Sequence, residues 1–157
     1  MRYPTTRMRR LRQSAALRDM VAETVLAPDD LMMPLFVRPG KGVRRPIASM
    51  PGVCQLSVDT AVEEGRELLA AGVRSVILFG IPEYKDAEGT SGYADDGIVQ
   101  EAVRALRGAL PDLLVCTDVC LCEYTSHGHC GVLDGDRVDN DATLDLLARM
   151  ADRKSVV

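Results

Sequence analysis

"LLVCTDVCLCEYTSHGHCG", residues 113–131, changes character partway along. Residues 113–119 are short, apolar and β-branched, the pattern of a buried strand. Residues 120–131 are more polar and hold three of the five cysteines and both histidines of the chain. A strand that ends in a chemically loaded loop is characteristic of parallel α/β sheets, whose sites lie beyond the carboxyl ends of the strands.

The flanking sequence repeats that order. "SVILFG", residues 75–80, reads as a second buried strand. "LMMPLFV", residues 31–37, reads as a third, although Pro34 removes one ladder donor. Helical patterns lie between them. Residues 15–25 come after Ser14 as a cap and stop before Pro28. A second helix starts at Ser57 or Asp59, runs to Ala71 and closes at Gly72. A third spans residues 98–110, capped by Asp95 or Asp96 and closed by Pro111, and a fourth spans residues 142–152, capped by Asp139 or Asn140. Residues 38–55 read as a long connection rich in Pro, Gly and Arg. Residues 80–96 form a polar loop of the length usually reserved for lids or binding loops. "LDGD", residues 133–136, predicts a small hairpin turn.

Alternating strands and helices predict an α/β fold with a parallel sheet. Three βα units are countable, too few to close a (β/α)8 barrel of about 250 residues. The sequence divides into an Arg-rich arm, residues 1–13, and an α/β domain over residues 14–157. The arm reads either as a nucleic-acid contact or as an extended segment lying on another subunit. The second is favoured, because stacking aromatics are missing nearby and the net charge of −4 does not favour nucleic acid. No apolar run reaches membrane-spanning length and no signal-peptide core opens the chain, so a cytoplasmic location with reduced thiols is expected.

In such a compartment a disulfide among Cys120, Cys122 and Cys130 is disfavoured. A Cys–His nucleophile using His127 or His129 needs fewer cysteines than are present. A metal centre uses them all. If strand geometry continues to residue 122, Asp118, Cys120 and Cys122 share one face, and Cys130 returns by a loop that Gly128 lets bend. Three thiolates without an obvious fourth ligand describe an open tetrahedral site, and soft sulfur selects Zn²⁺ over Mg²⁺ or Ca²⁺. Asp118 is then placed to orient a water or accept its proton. Either histidine remains a candidate ligand. Cys116 and Cys54 read as inert. The acidic run at residues 134–141 lacks the glycine of a calcium loop and reads as a turn and helix cap.

"TDVCLCEYTSHGHCGVL", residues 117–133, resembles the zinc-site signature of the porphobilinogen synthase family, also called 5-aminolevulinic acid dehydratases. "RMRRLRQS" (7–14), "LAPDDLMMPLFV" (26–37), "IASMPGV" (47–53), "SVILFGIPEYKDAEGTSGYADDGIVQEAVRALR" (75–107) and "DNDATLDLLARMA" (139–151) resemble it in the same order. The resemblance implies a (β/α)8 TIM barrel that condenses two 5-aminolevulinate molecules to porphobilinogen with loss of two waters. It implies Cys120, Cys122 and Cys130 as zinc ligands and Asp118 as an active-site acid. It also implies His129 near a second zinc in some members, and a homo-octamer in which the arm wraps a neighbouring subunit.

Family members run to about twice this length, and their two Schiff-base lysines lie on later strands. The three lysines here, Lys41, Lys85 and Lys154, fall in a linker, a loop and the tail, outside those motifs. The expectation is therefore a barrel truncated to about its first three βα units and inactive alone. The alternative is a non-catalytic zinc-binding or subunit-interaction fragment.

Overall fold

The computed structural model describes residues 2, 4–6 and 9–155. Met1, Tyr3, Arg7 and Met8 of the arm, with Val156 and Val157, lie outside the described residues. After a 3₁₀ turn at Arg9–Arg12, α1 spans Ala15–Met20 and Ser14 caps it, its hydroxyl accepting from the Leu17 N–H at 3.2 Å. The helix ends five positions before the expected residue 25. None of its residues is buried, and so short a helix has little stability without a packed face.

Strand β1, Met32–Val37, forms as expected and tolerates Pro34. The supposed linker then contributes β2 (Arg44–Pro46) and β3 (Cys54–Leu56), three residues each and too short for a periodic signal. Helix α2 spans Val58–Ala70 from an N-cap at Ser57. Gly72 then sits in the left-handed region, φ 88°, where glycine closes a helix without strain. Strand β4 is Ser75–Gly80 and α3 is Ile98–Ala109. The N-cap of α3 is Gly97, not Asp95 or Asp96, and a side chain there would collide with the Gln100 amide and the Ser91 carbonyl.

Strand β5, Leu114–Thr117, stops two residues short of the expected end. The hairpin forms as β6 (Leu133–Asp134) and β7 (Arg137–Val138) around Gly135. Helix α4 is longer than expected, Asn140–Ser155, and Asp139 caps it by accepting from the Ala142 N–H at 3.1 Å.

The main sheet has the order β2-β3-β1-β4-β5. β3, β1, β4 and β5 are parallel neighbours, with Phe36 beside Phe79 and Ile77 beside Cys116, and β2 pairs antiparallel on the outer edge. This is the expected three-unit α/β arrangement, and among the described residues the sheet does not close on itself.

Alternation splits the strands into two faces. Leu35, Val37, Val76 and Leu78 point into a core completed by Val99, Ala102, Val103 and Leu106 of α3 and Ala61 of α2. Gly65 brings α2 onto this core, its Cα facing Leu110, Leu113 and Leu106. The other face carries Phe36 stacked on Phe79, ring centroids 5.4 Å apart, and leaves Met32 and Leu114 exposed. A smaller cluster of Leu121, Tyr124, Leu146 and Met150 fixes the cysteine loop to α4.

Candidate metal centre

The two long loops leave the same edge of the sheet, one from the carboxyl end of β4 and one from that of β5. They are stitched together there. Asp86 and Thr125 form a parallel bridge, and the Ser126 N–H donates to the Asp86 carbonyl at 2.8 Å. The Asp86 carboxylate is itself a turn organiser. It accepts from the Glu88 N–H at 3.0 Å, the Thr90 N–H at 3.1 Å and the Thr90 hydroxyl. Burial would raise its pKa, but these donors outweigh burial and hold it below the usual carboxylate value. Gly89, φ 67°, lets the turn close against Tyr124 and Leu121.

His127 belongs to this stitching. Its Nδ1 accepts from the His129 N–H at 3.1 Å, so the proton lies on Nε2, which donates to the Ala87 carbonyl at 3.1 Å. Its imidazole is therefore committed to loop structure. The His129 ring lies 5.5 Å from it, centroid to centroid, while the His129 carbonyl accepts from the Thr125 hydroxyl at 2.9 Å.

The three cysteines do meet, although not on an extended strand. β5 ends at Thr117, and Leu121 is fully buried against α4, so the flanking Cys120 and Cys122 turn together with sulfurs 3.3 Å apart. Cys130 returns along the loop, and all three sulfurs lie within 4.8 Å of one another. Tetrahedral Zn–S bonds of about 2.3 Å place sulfurs about 3.8 Å apart, so the trio could hold a soft metal ion with little movement. Cys54 and Cys116 stand apart from it, half-buried and free.

The thiols influence one another strongly. Burial pushes Cys122 up to about 12, and Cys120 and Cys130 add to that. Burial also opposes ionisation of Cys120, but donors from the Cys122 backbone and from the Cys122 and Cys130 thiols outweigh it and lower its pKa. Cys130 is raised, chiefly by its hydrogen bond to Cys120. Cys120 is thus the thiol of the trio that ionises most readily. A divalent ion would release protons from the thiols that bind it.

Two acids and a base flank the sulfurs. Asp118 is mostly buried at the exit of β5, with 14 % of its side chain exposed. Glu123 lies under the end of β4, accepting a long hydrogen bond of 3.3 Å from the Gly80 N–H. Burial, then the charge of Asp118, pushes Glu123 up to about 7, against the pull of Lys154. Lys154, expected in the tail, is instead on α4 and 3 % exposed. Its Nζ donates to the Asp118 carbonyl at 2.8 Å and contacts the Asp118 carboxylate at 3.3 Å. The sequence did carry a signal for this, because Thr143, Leu146, Met150 and Lys154 recur at helical spacing and all four are buried. Tyr124 is also buried, and its hydroxyl sits so close to Gly80 that only glycine fits there.

The family model for delta-aminolevulinic acid dehydratase matches residues 5–155. The chain belongs to the delta-aminolevulinic acid dehydratase family. It is 53% identical over 153 residues to the enzyme of that name from Synechocystis, covering 95% of this chain and 47% of the relative. The Ruminiclostridium josui relative is 46% identical over 145 residues, covering 92% of this chain and 71% of the relative. Among solved structures, the Toxoplasma gondii dehydratase in complex with its reaction product porphobilinogen superimposes with a TM-score of 0.90 at 35% identity. That match covers 96% of this chain and 44% of the other. The chain spans about half the length of most curated relatives it matches. Among the described residues, no helix is long and apolar enough to cross a membrane.

Proposed function

We propose that this chain forms the metal-binding first part of a porphobilinogen synthase, the enzyme that condenses two 5-aminolevulinate molecules to porphobilinogen with loss of two waters. The observation that carries the reading is the convergence of three cysteine sulfurs within 4.8 Å at the carboxyl end of a parallel sheet, in a chain of this family. Cys120, Cys122 and Cys130 would hold Zn²⁺. The donor set suits it, being three soft sulfurs with the fourth tetrahedral position left open. A bound zinc ion supplies Lewis acidity toward a carbonyl or hydroxyl oxygen of the substrate.

The protein's own groups supply the rest of what this part can do. Asp118 is assigned as the acid–base group beside the sulfurs, its carboxylate oxygen 3.3 Å from Lys154 Nζ. The stitched loops over residues 80–96 and 118–132 form a wall that fixes the centre. The amine that would bind the first substrate covalently is, by resemblance, supplied by later strands of a longer barrel. Partnership with the remaining barrel strands, and octameric self-association through the arm, belong to the same reading, as does a cytoplasmic setting that keeps the thiols reduced.

The test is zinc stoichiometry together with turnover. The purified chain is expected to bind about one zinc, and the variant with all three cysteines changed to serine to bind none. Incubated with 5-aminolevulinate and zinc, the chain alone is expected to form no porphobilinogen. Unchanged zinc binding by the triple-serine variant would overturn the centre, and turnover would overturn the need for a further part. A second reading, a metal-binding or subunit-interaction module without catalysis, draws on the uncovered sheet face. It predicts a stable complex with a full-length family subunit whose activity does not depend on Cys120.

A further inference from the structure

The Cys120–Leu121–Cys122 segment is gripped at both ends by one side chain. Two residues before it, Asp118 gives Lys154 a carbonyl at 2.8 Å and a carboxylate oxygen at 3.3 Å. Two residues after it, the ring of Tyr124 lies under the same ammonium, with Nζ 5.0 Å from the centroid. Between these anchors Leu121 is sunk among Tyr124, Leu146 and Met150. The Lys154 side chain is 1 % exposed. An ammonium so far from water is tolerated only where acceptors and opposite charge are provided for it. Among the described residues, these contacts come from positions beside the two sulfurs.

We propose that Lys154 is a positioning residue for the metal centre. It ties the end of α4 to residues 118 and 124, so that Cys120 and Cys122 are held close before metal arrives. It also sets a fixed positive charge beside a centre in which three thiolates outweigh a divalent ion. Preorganisation of this kind acts on metal affinity and ligand geometry, the properties that outer-shell partners of metal ligands control. The inference rests on the assignment of the cysteines as metal ligands, and the experiment separates the two.

Cobalt(II) and zinc binding are measured on the unaltered chain and on Lys154→Met, Lys154→Gln and Leu56→Ala. The expected result is about 10- to 100-fold weaker binding in Lys154→Met, a loss typical of outer-shell changes, together with altered sulfur-to-cobalt charge-transfer bands. Lys154→Gln, which keeps a donor but no charge, is expected to lie between. Leu56→Ala removes core packing on β3, which two strands separate from β5, and is expected to lower the melting temperature while leaving affinity and spectrum unchanged. If Lys154→Met does not fold by circular dichroism, Lys154→Gln decides. Wild-type affinity and spectrum in the folded Lys154 variants would overturn the positioning role alone. Failure of the unaltered chain to take up either metal would overturn the metal assignment on which it stands.

Discussion

Asp86 shows how one carboxylate sets the shape of a functional loop. Its folded pKa is depressed, so the stability it contributes is present above the ordinary carboxylate value of 3.8 and is lost as the pH falls through the lower folded value. Asp86→Asn is expected to cost about 1 kcal/mol at pH 7, or roughly 2–4 °C in melting temperature. The difference between variant and parent should shrink as the pH is taken below 3.8. Thermal melts at both pH values check this, and an unchanged difference would place the contribution elsewhere. Tyr124 makes the complementary point. Among the described residues its buried hydroxyl has no hydrogen-bond partner, and it lies against Gly80. Gly80→Ala is expected to destabilise by about 1–3 kcal/mol through overpacking, and Tyr124→Phe in the same background should recover part of it, measurable by denaturant unfolding of the double-mutant set.

At the scale of elements, α3 binds the sheet through one stripe of side chains. Ile98, Val99, Ala102, Val103 and Leu106 are buried, at the spacing of one helical face. Leu106 is fully buried beside Gly65 of α2, so Leu106→Ala is expected to cost about 2–5 kcal/mol by leaving a cavity. Urea unfolding with an unchanged slope would confirm a native-state effect. The turn after α2 is held by a different kind of constraint. Gly72 at φ 88° admits a β-carbon only at a backbone cost of about 1–2 kcal/mol, so Gly72→Ala should destabilise by that amount although little packs there.

At the scale of the molecule, the two sheet edges are not alike. β2 ends the sheet with Arg44, Arg45 and Pro46, residues that discourage further pairing. β5 ends it with Leu114–Thr117, uncharged, and a cavity of about 500 Å³ opens beside it between Val103, Leu113, Val115 and Lys154. Leu114 is 61 % exposed and Met32 44 %. Such an edge and face favour association with another strand-bearing surface. The isolated 17.1 kDa chain is accordingly expected to sediment as a species larger than a monomer, and Leu114→Lys to shift it toward the monomer. Monomeric sedimentation of the unaltered chain at micromolar concentration would contradict this.

Periodicity alone determined the three parallel strands, their helices, the closing Gly72 and the hairpin at Gly135, because apolar alternation and turn chemistry are local. Spacing and residue type singled out Cys120, Cys122 and Cys130. The short strands β2 and β3 were not legible, since three residues make no pattern and their pairing partners lie far along the chain. Only the tertiary structure decided how the cysteines meet. A continued strand was expected to align Cys120 and Cys122, whereas a buried Leu121 and a turn bring them together. It alone committed His127 to the loop backbone and carried Lys154 from an apparent tail to the side of Asp118. Helix and strand signals depend on neighbours within a few residues. A site depends on groups distant in sequence that burial forces to satisfy one another.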